Sequence, residues 1–376
     1  MPAATKTSDV LVIGGGIHGC SAALHLAMRG HTVRLIEKDH VGRHASGVNA
    51  GGVRRLGRDV AEVALSVAAA AYWQDIENFL GDDCGYRQSR YLKVAETEAE
   101  LDVARTRVAI LRQRGFEHEE VVDQWTLRDL MPSVAGHCVG ALHVDGDGSA
   151  LPFRATQAVR RQAESHGVVI HEGEAVTDIT REGSAWLVET SSGRFAAAAV
   201  VNAAGAWGGR IAAMLGDRIP LEAHAPMLAV TAAMPAFVSA VVGALGDALS
   251  LKQYGNGTVL IGGGVRGRAD LDSNATTLDI TGLARFVATA RRIFPVLGDA
   301  TVVRVWAGIE AYTPDHLPII SHGESAGVVH AFGFSAHGFQ LAPAAGEVVA
   351  DLVEGRSPRI ACDAFRYDRF GSGQAN

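Results

Sequence analysis

The stretch Asp9-Val-Leu-Val-Ile-Gly-Gly-Gly-Ile-His-Gly-Cys20, followed by Thr32-Val-Arg-Leu-Ile-Glu37, decides the fold of this 376-residue chain. Val10 to Ile13 is an unbroken apolar run, the pattern of a parallel strand buried on both faces. Gly14, Gly16 and Gly19 then keep the G-x-G-x-x-G spacing as the chain turns into a helix. In that spacing Gly14 permits the tight turn, Gly16 lets a pyrophosphate touch the backbone, and Gly19 lets helix and strand pack closely. The helix start offers free N–H groups and the positive end of its dipole to phosphate. Glu37 ends the second strand about 20 residues beyond the glycines, where a carboxylate accepts ribose hydroxyls and repels a 2′-phosphate. The unit therefore predicts a dinucleotide other than NADP, and by itself leaves FAD and NAD both open.

Working outward, composition sets the class. Hydrophobic residues make up 48% and charged residues 20%, the balance of a globular enzyme, and the length allows two domains. A net charge of -7 argues against a nucleic-acid partner. No apolar run is long enough to span a bilayer, and Met1 to Ser8 is too short and polar for a signal peptide. Cys20, Cys84, Cys138 and Cys362 are scattered without a C-x-x-C, which predicts reduced thiols, a cytoplasmic protein and no metal site.

The remaining pattern predicts elements that alternate between two styles. Helices are expected over Asp59 to Phe79, Glu96 to Arg114, Pro152 to His166, Thr281 to Phe294 and Leu341 to Glu354, and after Trp207 up to Leu215. Strands are expected at Tyr91–Ala95, Ala141–Val144, Val168–His171, Ala198–Asn202 and Val328–Phe332. A small meander is expected at Ala175–Thr180, Trp186–Thr190 and Arg194–Ala196, and mostly strands between Leu228 and Arg304. The expected fold is α/β: a Rossmann-like dinucleotide domain from residues 1–85, 145–220 and 300–376, and a substrate domain with a mixed, mostly antiparallel sheet from 86–144 and 221–299.

Three further segments are hard to explain with NAD. His44-Ala-Ser-Gly-Val-Asn-Ala-Gly-Gly52 is a polar loop long enough to cradle a pyrophosphate and a flavin edge. Val200-Val-Asn-Ala-Ala-Gly205 ends a strand in small residues that admit a ligand to the backbone. Gly333-Phe-Ser-Ala-His-Gly338 precedes a helix, whose N–H groups suit the part of a flavin that becomes anionic on reduction.

With these segments and Trp306-Ala-Gly-Ile-Glu-Ala-Tyr-Thr-Pro-Asp-His-Leu-Pro-Ile-Ile320 in view, nearly the whole chain resembles the FAD-dependent D-amino-acid oxidase superfamily. It is most similar to the branch holding glycine oxidase, sarcosine oxidase and the β subunits of proline, hydroxyproline and opine dehydrogenases. The resemblance implies FAD at Gly14, Gly16, Gly19, Glu37, Ser46, Asn49, Ala50, Val176, Gly205, Trp207, Gly308 and the 333–338 segment. Within the same segments it adds Ile17, His18, Lys38, His44, Gly51, Ala203, Phe334, Ser335, His337, Gly338, Phe339 and Gln340.

The departures from the family pattern shape the functional expectation. Where some relatives attach the flavin through cysteine, this chain has Gly308, so the FAD is expected to be non-covalent. The strand Thr258-Val-Leu-Ile-Gly262 lacks the lysine that promotes reaction with oxygen in sarcosine oxidases, which favours a dehydrogenase. The arginine and lysine that pair with a substrate carboxylate are replaced by Glu310 and Gln340, leaving Arg54 and Arg55 as cations. Glu310 suits a cationic group such as the guanidinium or second amine of an opine. His224 is a further substrate candidate, and His337 and Tyr254 are the catalytic candidates. The implied reaction is oxidation of an amino-acid or secondary-amine C–N bond by hydride transfer to flavin N5, the imine then hydrolysing. The alternatives are a peroxide-forming oxidase, an FAD-carrying subunit of a hetero-oligomer with an electron-accepting partner, and an NAD enzyme.

Overall fold

The computed structural model describes residues 5–371 and contains two sheets. The first has eight strands. Its main path runs Ile319–His322, Val328–Phe332, Arg194–Asn202, Lys6–Ile13, Val33–Ile36, Val169–His171. Along this path four pairings are parallel and one, that of Ile319–His322, is antiparallel; off the path Ala185–Thr190 runs antiparallel to Arg194–Asn202. The apolar run of the first strand is buried on both faces, as its composition demands: Val10 and Val12 pack under helices, Leu11 and Ile13 under a hairpin. The helices Ile17–Met28, Pro152–Ser165 and Gly338–Val353 cover one face. The hairpin Val176–Glu182/Ala185–Thr190, with the helix Gly208–Met214, covers the other.

The second sheet has twelve strands and is antiparallel except where Val241–Ala244 runs parallel to Arg87–Ala95. Its outer face packs against the helix Ile280–Ile293 through Phe286, Ala290 and Ile293, which meet Met227, Val242 and Leu251. On the inner face Lys93, Gly243 and Ser250 form one row across three paired strands, and this face looks onto the first sheet's ligand edge.

Hydrogen bonding redraws the expected division. Gly140–Ser149 is one strand that crosses the anticipated boundary at 144/145. Gly52–Val53 pairs with its end. Val302–Ala307 and Glu310–Tyr312 pair with Glu222–Thr231, so residues 302–312 belong to the second sheet rather than to the dinucleotide sheet. Arg194–Asn202 likewise fuses two expected strands. Its first half pairs with the hairpin while its other edge runs beside Lys6–Ile13, so one strand serves both roles.

Among helices, the single one expected over Asp59 to Phe79 is a tight turn at Val60–Glu62, a helix at Val63–Gln74 and a short helix at Ile76–Leu80. The Asp59 carboxylate accepts from the Ala61 N–H and so caps the start. The break falls at Asp75, whose carboxylate accepts from the Asn78 side chain, a local bond that competes with the helix. None of the described helices is long and apolar enough to cross a membrane.

Candidate active site

A cavity of about 840 Å3 runs from the glycine turn of the first strand to the inner face of the second sheet. At the nucleotide end, absent side chains make the shape. A Cβ on Gly14, which holds φ +113°, would stand 2.4 Å from the Ala203 carbonyl oxygen. One on Gly19 would stand 1.9 Å from the Gly14 oxygen, so the helix comes this close to the strand end only because residue 19 is glycine. Ser46 brings the next loop to the helix start, its Oγ accepting from the Ile17 N–H at 2.9 Å. Asn49 braces that loop internally: its amide donates to the Ala45 and Ser46 carbonyls and its oxygen accepts from the Gly51 N–H. Residues 45–48 form a short helical turn where a loop was expected.

Glu37 stands on the cavity wall at the end of its strand. The Gly15 N–H donates to its Oε2 at 2.7 Å and the Asp39 N–H to its Oε1 at 2.8 Å. Burial pushes this carboxyl above its usual value, against those two bonds. Lys38, His44 and Trp207 form the adjoining wall: Lys38 lies 4.0 Å over the Trp207 ring and donates to Asp39 and Asn274, while His44 pairs with Asp39 at 2.8 Å. Val176, Ala203 and Gly205 also line the cavity. His18 stacks on Phe334 at 3.5 Å with both ring nitrogens unpartnered, and burial pulls it down to about 3, so it is neutral at physiological pH.

At the middle of the cavity Gly308 faces the 45–52 loop. A Cβ there would stand 2.5 Å from Val48, and the Trp306 indole donates to the Val48 carbonyl. Across from it the 333–338 segment holds two consecutive non-glycine residues in the left-handed region, Ser335 at φ +49° and Ala336 at φ +65°. Each costs about 1–3 kcal/mol and persists only where surroundings fix it. Here the Ser335 N–H donates to Ala311, the Thr313 N–H donates to Ser335 Oγ, and the Arg58 guanidinium donates to the His337 carbonyl at 2.9 Å. Gly338 and Phe339 then open the last helix with the cavity at its N-terminus.

Four candidates stand elsewhere. Gln340 is fully buried behind the cavity, its oxygen accepting from Arg58 and Ser66 and its amide donating to the Ser66 carbonyl. Arg55 is paired with Asp147 at 2.8 Å and faces away. His224 pairs with Glu222, and Tyr254 sits in a turn closed by Thr258, both off the cavity wall. Partners distant in sequence account for two of these: Asp147 draws Arg55 away from the cavity, and Arg58 and Ser66 hold Gln340 behind it.

Arg54, Glu310 and His337 do line the cavity. Burial pulls His337 down to about 4, and its Nδ1 lies 3.4 Å from Glu62. Glu62 is itself fully buried; the His337 contact and Arg58 outweigh the opposing effect of burial and hold its carboxyl below the usual value. Glu310 is half-buried with its Oε2 enclosed and unpartnered, and loss of solvation pushes it up to about 7, partly offset by Arg266. Sequence reading passed over Arg58 and Glu62, which hold the 333–338 segment at His337, Ser66, which holds Gln340 just beyond it, and Tyr91 and Lys93, which line the cavity. The spacing of Arg58 and Glu62 carries no signal, since Arg58 precedes the helical turn at Val60–Glu62.

The cradle fits a dinucleotide, and the bare backbone at Gly308 and the 333–338 turn fit the flat ring system of a flavin beyond it. Known proteins agree. A glycine oxidase from Geobacillus kaustophilus is 29% identical over 97% of this chain and 98% of its own. One of the subunits of an opine oxidase from Rhizobium meliloti is 26% identical over 98% and 99%. The crystal structure of an L-proline dehydrogenase from P. horikoshii superposes with a TM-score of 0.90 at 27% identity, covering 98% of each chain. The family model for FAD dependent oxidoreductases matches residues 9–352. The chain belongs to this DAO family of FAD-dependent oxidoreductases, and FAD is the cofactor its cradle takes.

Proposed function

We propose that this chain oxidises the C–N bond of an amino acid or secondary amine to an imine that hydrolyses in water, and that it works as a dehydrogenase. The observation that carries this reading is one continuous cavity joining the FAD cradle to a wall where Arg54 and Glu310 stand. Bound FAD supplies the two-electron sink, so the protein needs positioning and electrostatics more than a strong base. Arg54 pairs with the substrate carboxylate. Glu310 Oε2 accepts an N–H from a cationic group on the substrate. The inner face of the second sheet closes over the site and keeps water from it. His337, neutral and held by its own carbonyl, positions the flavin-facing turn rather than moving a proton. None of these roles requires a nucleophile–base pair.

Preference for an acceptor other than oxygen is supported by the strand Val259–Gly262, which carries no lysine. Lys252 on the neighbouring strand is buried without a partner and lies off the cavity wall. The similarity to the opine oxidase polypeptide favours a second reading, an FAD-carrying subunit that works within a hetero-oligomer. A cytoplasmic location belongs to the same proposal and is supported by four unpaired cysteines. The test is an anaerobic dye-reduction screen over D-amino acids, N-methyl amino acids, proline derivatives and opines, repeated in air with a peroxide assay. Dye reduction without stoichiometric peroxide is expected. Stoichiometric peroxide makes the chain an oxidase, and activity only after a partner is added supports the hetero-oligomer reading.

A further inference from the structure

Lys93 stands on the inner face of the second sheet in a slot made by two glycines. A Cβ on Gly243, its neighbour across the strands, would stand 3.4 Å from Lys93 Cγ. A Cβ on Gly57, which holds φ +66°, would stand 2.7 Å from Lys93 Nζ. The ammonium is thereby admitted to the loop that carries Arg54 and Arg58, and Lys93, Arg54 and Arg58 all line the cavity. Three cations so placed need anions. Arg58 is accounted for by the His337 carbonyl, Gln340 and the nearby Glu62. Glu119, the acidic group behind Lys93, is spent on the Arg107 guanidinium, at 2.7 Å, and on the Gly57 N–H. Among the described residues the Arg54 guanidinium donates only to the Leu56 carbonyl. Among the described residues neither Arg54 nor Lys93 has a carboxylate within 4 Å.

We infer that Arg54 and Lys93 together form an anion subsite that selects ligands bearing two carboxylates. The substrate class is then a dicarboxylic amino acid or a secondary amine with a carboxylate on each arm. Arg54 receives the carboxylate beside the reacting carbon and Lys93 the second. Burial and the neighbouring Arg54 pull the Lys93 ammonium down to about 8, as expected for a cation whose partner arrives with the ligand. The word substrate rests on the amine-oxidation reading above; the anion subsite does not.

The test separates the two. Malonate and acetate are titrated calorimetrically into the FAD-loaded enzyme, wild type and the variants Lys93→Met and Lys93→Gln, with thermal midpoints recorded as a folding control. Malonate should bind at least about tenfold tighter than acetate in the wild type, and either neutral variant should bring the ratio close to one while leaving acetate within about twofold. Equal binding of the two acids by the wild type, no binding of either, or an unchanged ratio in a folded variant overturns the inference. In parallel, iminodiacetate and N-methylglycine are compared as reductants of the bound flavin. If malonate selectivity depends on Lys93 but no amine reduces the flavin, the subsite stands and the amine-oxidation reading fails. If N-methylglycine is oxidised while malonate shows no selectivity, that reading stands and the subsite fails.

Discussion

The two ends of the cavity are built by opposite means. At the nucleotide end the ligand-facing surface is backbone at Gly14, Gly15 and Gly16, held in place because side chains are missing at Gly14 and, behind it, at Gly19. At the substrate end it is charged side chain, from Arg54, Lys93 and Glu310, each on a different segment of the chain. A backbone cradle accepts one ligand shape and tolerates no added atom. A side-chain wall can be rewritten one residue at a time, which is why enzymes of one fold share a cofactor and differ in substrate.

The contrast predicts its own order of effects. Gly19→Val should be the most damaging single change, because even a Cβ there meets the Gly14 oxygen at 1.9 Å. The purified variant is expected to lack visible flavin absorbance or to fail to fold. If it retains full flavin, the close approach of strand and helix is not what the cradle requires. Next is Arg58→Met, which leaves Glu62, Gln340 and the His337 carbonyl buried without their cation. Loss of about 3 kcal/mol or more in denaturant unfolding of the holoenzyme is expected.

Arg54→Ala acts only on the substrate end. It should lower kcat/KM for carboxylate substrates by roughly 100-fold while leaving flavin content unchanged. Glu310→Gln is milder and shows in the pH profile. A carboxyl pushed up to about 7 is neutral below that pH and charged above it. For a substrate with a second cationic group, wild-type kcat/KM should therefore rise as pH increases through 7, and the variant should lack that limb. The smallest effect belongs to Lys93. Its ammonium is lost as pH rises through about 8, so the preference for malonate over acetate should fade above that pH in the wild type. The Lys93→Met variant, which has no such group, should show a flat ratio.

The same contrast explains what could be read from sequence. The nucleotide end was legible because its constraints are local: a glycine spacing, a strand before it and Glu37 after it all lie within residues 9–37. The flavin-facing turns at 44–52 and 333–338 carried their own glycine patterns, and the cavity gathers both. The substrate end was legible only in part. Arg54 and Glu310 line the cavity, yet Arg55 turns to Asp147 and Gln340 to Arg58 and Ser66, because these partners, distant in sequence, decide where each side chain goes. Lys93 escaped notice since its setting depends on Gly57 and Gly243, one nearly 40 residues before it and the other on a strand paired only in the folded sheet. The pairing of residues 302–312 with the second sheet, in a stretch expected within the dinucleotide domain, is hidden from sequence for a similar reason. Their partner, Glu222–Thr231, lies 80 residues earlier, and nothing in their own sequence names it.

The most direct measurement of the account is anaerobic mixing of the yellow holoenzyme with the amine panel, with dithionite as the positive control. At least one amino acid or secondary amine should bleach the flavin, and Arg54→Ala should slow that bleaching while dithionite still reduces the variant. A flavin that dithionite reduces and no amine in the panel touches would contradict the proposed reaction.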